Sequence, residues 1–423
     1  MAPDEGGTSL NIRSHTKSGR RIQVLVGLVC VVAVSGVRAS SWSVQPLLEG
    51  VKQIASPGVP GTLSVFGPNA RAVVTDRDGS GSARPVVAAA KYGRGCVVAF
   101  GHTGYLSTAA LEKADTGRLL LNAIRWTARA KRRPRVAVVG NRSLVGFLRS
   151  KNVAATVVRL DGLQPRAIDI LIGPLAGANP KQIESLARFI RRGGGLITAE
   201  TGWGWQEIHA EQDLATDNPG NRLLARMGLV FTAETARDTA PDGFVVQGVP
   251  SELTNAWRAF ALCNEQASGR RRLSKAEAVQ VTTTLTTALR SIPGSDRLLL
   301  PQLRRAVQQL ARDVFPSPER PVSKTDVLAY VAVAEQARRL AKLAPEEIRA
   351  HPAATVFPGA VPGEARKVTR VVTVDTAIPR WHSTGLYAPP GRLIEVTLPA
   401  HAAGQGLKVR VGCHSDRLWG KPS

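Results

Sequence analysis

One stretch constrains this chain more than any other: residues 168–205, IDILIGPLAGANPKQIESLARFIRRGGGLITAETGWGW, which read as strand, loop, helix, glycine turn, strand and loop. Ile168 to Ile172 is an apolar run too short for a helix. Asn179 followed by Pro180 supplies an N-cap and a preset first helical φ. Ile183, Leu186, Ala187 and Ile190 then recur at i, i+3, i+4 and i+7, so one stripe packs on a sheet while Lys181, Glu184 and Arg188 face water. Gly193 to Gly195 stop the helix, and Leu196 to Ala199 resume a buried strand. A strand–helix–strand unit with a single long crossover is parallel and right-handed, which puts the domain in the α/β class with a parallel sheet.

The same reading extends on both sides. Pro46, Pro57 and Pro60 break the entry segment, after which Leu63 to Phe66 and Ala72 to Thr75 read as strands and Asp76 to Gly81 as a turn. Pro85 to Ala90 and Cys96 to Phe100 flank Lys91-Tyr92-Gly93-Arg94-Gly95 as a hairpin. A helix is expected over about 116–130. A strand over 136–140, a helix over 143–151 and a strand over 155–160 follow, giving one α/β domain over 45–265. From 273 to 350 the period is helical. Leu303, Ala306, Val307, Leu310, Ala311 and Val314 form one stripe, Tyr330, Val333, Ala337, Leu340 and Ala341 another, with prolines between, so three mutually packed helices are expected. After prolines 352–362 the pattern alternates. Val368 to Val374, Ile394 to Leu398 and Leu407 to Val411 read as strands of a β-sandwich over 366–423, too few to close one, so the sandwich is expected to be truncated.

Charge narrows the partners. A formal net charge of +24 points towards nucleic acid or an acidic surface. The basic residues are scattered as pairs on helix faces, with one dense run from Arg129 to Arg135, and no aromatic-interleaved basic strand or zinc finger accompanies them. No specific nucleic acid is therefore expected. Arg13, Lys17, Arg20 and Arg21 precede an apolar run from Ile22 to Val34, and Val37-Arg38-Ala39 offers a small-x-small cleavage site. Residues 1–39 thus read as a signal peptide or, uncleaved, as an N-terminal anchor, the one route to a membrane. The expected location is secreted or at the cell envelope. Cys96, Cys263 and Cys413 would remain, too widely spaced for a disulfide framework and with no CxxC for metal or redox work.

Several strings in order, LLEGVKQIASPGVPGTLSVFGPNARAVV, AAAKYGRGCVVAFGHTGYL, GGGLITAETGWGW, PRWHSTGLYAPPGRLIEVTLP and GLKVRVGCHSDRLW, resemble the non-catalytic front half of M60-like (enhancin-type) metallopeptidases. The animal TRPM8 channel-associated factors share that architecture. The resemblance implies a degenerate class I glutamine amidotransferase-like α/β domain, a helical segment and a partial β-sandwich, with an HExxH zinc domain last. It also implies secreted or surface proteins that act on mucin-type glycoproteins. This chain departs from the pattern at the chemistry. None of its seven histidines stands four residues from another, so it has no HExxH pair to hold zinc. No catalytic residue, metal site or cofactor is assigned, zinc entering only with a separate catalytic domain. The expected function is to recognise or position glycoproteins or cell-surface glycans. The alternatives are a protein-interaction module or a zinc peptidase completed by a further segment.

Five residues are candidate ligand contacts. His102 lies at a strand end between Gly101 and Gly104, where open α/β sheets place binding groups. The bland alternative has His102 hydrogen-bonding backbone while Tyr105 packs. Glu200, Trp203 and Trp205 follow another strand end, and tryptophans in a glycine-rich loop can stack on a sugar ring or plug a core edge. Gly140 with Ser143 is a weak anion cradle. Cys96, inside a strand, reads as a buried inert thiol, which excludes glutamine hydrolysis. Trp381, His382, His414 and Trp419 read as sandwich packing.

Overall fold

The protein is described by a computed structural model covering residues 42–411, apart from 130, 164, short stretches between 312 and 360, and 379–380, 389–391, 403 and 410. The expected leader at 1–39, Pro352, Cys413, His414 and Trp419 lie outside the described residues.

The strands are β1 (Gln53–Ala55), β2 (Gly61–Val65), β3 (Ala70–Arg77), β4 (Ala83–Tyr92), β5 (Gly95–Phe100), β6 (Val136–Val139), β7 (Ala155–Val158), β8 (Ile170–Ile172), β9 (Gly195–Ala199), β10 (Leu229–Thr235) and β11 (Gly243–Val245). Seven of them form one sheet in the order β3-β4-β5-β9-β8-β6-β7. From β5 to β7 the neighbours are parallel; β3 and β4 add an antiparallel hairpin at one edge. The molecule is therefore a mixed α/β protein around a mostly parallel sheet. Strands covered on both faces read as unbroken apolar runs, and all six residues of β5 are buried.

The helices are α1 (Gln45–Leu48), α2 (Thr108–Leu111), α3 (Thr116–Ala128), α4 (Arg142–Ser150), α5 (Pro180–Arg191), α6 (Gly202–Ile208), α7 (Pro219–Leu224), α8 (Ala256–Ala267), α9 (Lys275–Ser291), α10 (Leu300–Ala311) and α11 (Val327–Leu340). On one face of the sheet Leu119, Leu120 and Ile124 of α3 and Leu144 and Leu148 of α4 pack with Val98, Val138 and Ile197. On the other, Ile183, Leu186 and Ile190 of α5 and Leu223 of α7 pack with Val97, Leu171 and Leu196. The stripe expected on α5 is buried as a set. Its start is fixed by a full capping box: Asn179 Oδ1 accepts the Gln182 N–H at 3.0 Å and Gln182 Oε1 accepts the Asn179 N–H at 2.7 Å.

A third apolar cluster joins α8 to α11 and reaches into the sheet body through Phe66 and Val230. Three helices do follow residue 273, but α9 is no surface helix. Every residue from Val281 to Leu289 is buried, including Thr282, Thr283, Thr284, Thr286 and Thr287. The hydroxyls of three of them leave the helix to bond other segments: Thr284 to Leu253 O, Thr282 to Lys324 O and Thr283 to Ser82 Oγ.

Three local expectations are corrected. Asp76 and Arg77 belong to β3, not to the turn, because Arg84 on the paired strand β4 neutralises the fully buried Asp76 carboxylate. On α11 the buried set is Val327, Val331, Ala332 and Glu335, whereas Ala337 is exposed. Glu335 can be buried because Arg338 (2.6 Å) and Arg339 (3.0 Å) ion-pair with it from its own helix and Arg304 (3.8 Å) from α10. The alternating segment at Val368 to Val374, Ile394 to Leu398 and Leu407 to Val411 forms no paired strand among the described residues, and its apolar side chains are exposed, Val371 by 99%. Alternation marks a two-faced surface; a strand forms only beside a hydrogen-bonding partner, and none of the described residues supplies one.

Candidate functional site

The parallel strands β5 and β9 end side by side, Phe100 opposite Ala199, and the candidate residues follow these two ends. Gly101 makes the first contact possible. Its carbonyl accepts the Gly61 N–H at 2.8 Å, and a Cβ on Gly101 would lie 2.1 Å from Gly61 O. Only glycine allows the loop of residues 57–61 to close down on this strand end.

His102 caps the 3-10 turn Thr103–Leu106, its Nδ1 accepting the Gly104 N–H at 2.9 Å. The other ring nitrogen, Nε2, makes no hydrogen bond with a described residue and lies towards Gly58, where a Cβ would sit 3.3 Å from it. Burial pushes the imidazole pKa down, so the ring is neutral at pH 7, and with Nδ1 accepting, the proton resides on Nε2. His102 therefore offers one unused N–H donor at a half-buried position.

Trp203 packs against the same loop. It is half-buried, and its indole Nε1 donates to Val59 O at 3.0 Å. Its Cδ1 would stand 3.5 Å from a Cβ on Gly61, so His102 and Trp203 both pack against loop 57–61, in which Val59 is half-exposed. The other aromatics do not share this rim. Tyr105 is buried against Phe100, with ring centroids 5.5 Å apart. Its hydroxyl has no partner among the described residues, and burial holds its pKa well above the ordinary value. Trp205 lies on helix α6 and not in a loop; it is buried and stacks on His209 at 4.3 Å.

Glu200 continues β9, its N–H donating to Phe100 O at 3.1 Å. One carboxyl oxygen accepts the Thr201 N–H at 3.1 Å; the other, Oε2, is buried and unpartnered. Burial pushes this carboxyl up, opposed by the Thr201 N–H, by the nearby Asn218 amide and by His209. Asn218 is fully buried, its Oδ1 capping α7 through the Asn221 N–H at 2.9 Å while its Nδ2 completes no hydrogen bond. Thr198 Oγ1, two residues back on β9, is likewise unpartnered. The Asn218 amide lies close enough to the Glu200 carboxyl to lower its pKa, so these two buried groups lean on one another at the strand end, and Thr198 Oγ1 is the polar atom left without a partner among the described residues. Asn218 was missed from sequence, although Asn218-Pro219 repeats the Asn179-Pro180 helix-start signal.

Cys96 is buried within β5 with its thiol pushed up by burial, and Cys263 is pushed up to about 12, so neither is a ready nucleophile. Among the described residues no three His, Cys, Asp or Glu side chains converge to hold a metal ion. At the Gly140–Ser143 turn, Asn141 Oδ1 takes the Leu144 N–H at 2.9 Å, so part of the suggested anion cradle is already occupied. His382 Nε2 meets Ile378 O at 3.1 Å, far from any metal-ligand set. No helix among the described residues is long and apolar enough to cross a membrane.

A family model described as the TRPM8 N-terminal domain matches residues 20–242, and one described as the N-terminal domain of M60-like peptidases matches residues 363–422. The bovine TRPM8 channel-associated factor 2 is 30% identical over 400 residues, covering 88% of this chain and 40% of that protein. The Xenopus laevis homolog is 26% identical over 337 residues (77% and 34%), and the human factor 1 is 28% identical over 348 residues (79% and 35%). The chain thus spans about two-fifths of the length of the curated relatives it matches. Among solved structures, an IMPa metallopeptidase in complex with T-antigen overlaps 69% of this chain and 36% of its own at 14% identity and a TM-score of 0.44. IMPa from Pseudomonas aeruginosa in complex with an O-glycopeptide gives 15% identity and a TM-score of 0.43. Both overlaps are too loose to carry function. With more than half its length matched by one model, the chain belongs to the TRPM8 N-terminal domain family, and residues 363–422 match the model described as the N-terminal domain of M60-like peptidases.

Proposed function

We propose that this chain is a non-catalytic recognition module whose ligand edge is loop 57–61 with His102 and Trp203. The observation that carries the reading is an unused imidazole N–H donor and a partly exposed indole that both pack against one short loop. That combination suits a sugar: the indole covers the apolar face of the ring and the imidazole donates to a hydroxyl. The ligand is then a glycan on a glycoprotein or cell surface, met by a secreted or envelope-associated protein whose N-terminal leader directs its export.

A glycan array on the purified chain tests this. Signal for mucin-type glycans that falls at least tenfold in Trp203→Ala and in His102→Ala is the expected result. A blank array would overturn the glycan reading. The relatives' names favour a second reading, direct association with a protein partner, as TRPM8 channel-associated factors imply for themselves. A blank array together with co-purification of a TRPM8-type channel would favour it.

A further inference from the structure

The described residues hold a cleft of about 410 Å³ that neither the strand-end site nor the family match explains. It lies between α7 with the 3-10 turn behind it (Ala225–Met227) and the loop of residues 293–298 that leads into α10. Three guanidinium groups line it, Arg222 and Arg226 one turn apart on the first element and Arg297 on the second. The side chains of Arg222 and Arg297 are exposed and make no hydrogen bond or ion pair with a described residue. Arg226 is held in place by Glu184, whose two carboxyl oxygens take its fork, one bond at 3.0 Å.

Asp296, the single acid in the lining, offsets one of these charges and Glu184 offsets that of Arg226, so a net positive charge remains in the cleft. Asp296 has both oxygens committed to capping α10: Oδ1 accepts the Leu298 N–H at 3.2 Å and Oδ2 the Leu299 and Leu300 N–H groups at 2.8 and 2.9 Å. Thr216 and Ser295 add hydroxyls to the same walls. A weakly hydrated planar guanidinium matches the edge of a tetrahedral oxyanion, and two unpaired forks facing one cleft of ligand size make an anion site more favourable than either alone. We propose that this cleft binds a phosphate or sulfate group borne by a small anionic ligand, at a site separate from the glycan edge.

The test is calorimetric titration of the full chain at low salt with two probes, inorganic pyrophosphate and a sulfated monosaccharide, which distinguish the two sources of the oxyanion. Saturable one-to-one binding of at least one probe is expected. Arg222→Ala and Arg297→Ala should each weaken it at least tenfold while leaving the melting temperature unchanged, since both side chains are exposed. The exposed pair Arg132→Ala/Arg133→Ala, in the dense basic run, should leave it unaltered. No saturable heat with either probe, or equal weakening by the Arg132/Arg133 pair, would overturn the site. Because Trp203 and His102 take no part, this outcome is independent of the glycan array.

Discussion

At the scale of single residues, two buried carboxyls carry opposite lessons. Glu200 sits at a strand end where burial raises its pKa and one oxygen lacks a partner. A carboxyl whose folded pKa is raised contributes most below its unfolded value of about 4.3, and that contribution is lost as pH rises through the folded value. Glu200→Gln should therefore melt higher than the wild type at pH 7, the difference closing near pH 4; thermal melts at the two pH values decide it. Asp76 is fully buried, and burial pushes its carboxyl up, yet it is met by the Arg84 fork and by the backbone N–H groups of Arg84 (3.1 Å) and Arg237 (3.0 Å). Asp76→Ala leaves Arg84 with only Glu234 at 3.5 Å, and should cost about 3–5 kcal/mol in urea unfolding. A cost under about 1 kcal/mol would show that Glu234 replaces it. The place of Glu200 at a strand end was legible in sequence and the burial of Asp76 was not: Asp76 looked like the first residue of a polar turn, because the cation that makes it tolerable inside lies on the partner strand.

At the scale of elements, helix starts were legible and helix surroundings were not. The Asn-Pro pair at 179–180 named its own helix, since a cap acts through atoms three residues away. Asn255 shows the limit. It caps α8 by accepting the Trp257 N–H at 2.8 Å, and its amide also donates to Gly67 O and Ala70 O at 2.8 and 2.9 Å, tying the β2–β3 turn to the helices. Asn255→Ala removes the cap and one of the two donors to each of Gly67 O and Ala70 O, so a loss of about 1–2 kcal/mol is expected from denaturant midpoints. Helix α9 reads as weakly amphipathic because five of its nine central buried positions are threonine; the hydroxyls of Thr282, Thr283 and Thr284 reach segments distant in sequence, while that of Thr286 turns back to the helix's own carbonyls. The Trp203 and Trp205 pair, alike in sequence, separates in the fold: one flanks the 57–61 loop and the other plugs the core.

At the scale of the whole molecule, Phe66 and Val230 of the sheet body lie in the same apolar cluster as Leu285, Leu303 and Val331 of the helices. Sheet and helices should consequently unfold together. Calorimetry is expected to record one transition, lowered both by Val98→Ala in β5 and by Leu285→Ala in α9, the latter by about 2–5 kcal/mol; two transitions that respond separately would show the seam to be weak. The sequence by itself determined the α/β class, the β4–β5 hairpin, the caps and stripe of α5 and the absence of an HExxH pair, because each depends on residues within a few positions of one another. Only the tertiary structure decided which acids could be buried, that loop 57–61 closes on Gly101 against His102 and Trp203, and that Arg222 and Arg297 face one cleft. Those features join segments up to about 160 residues apart, and no local pattern encodes a distance that only the packed chain defines.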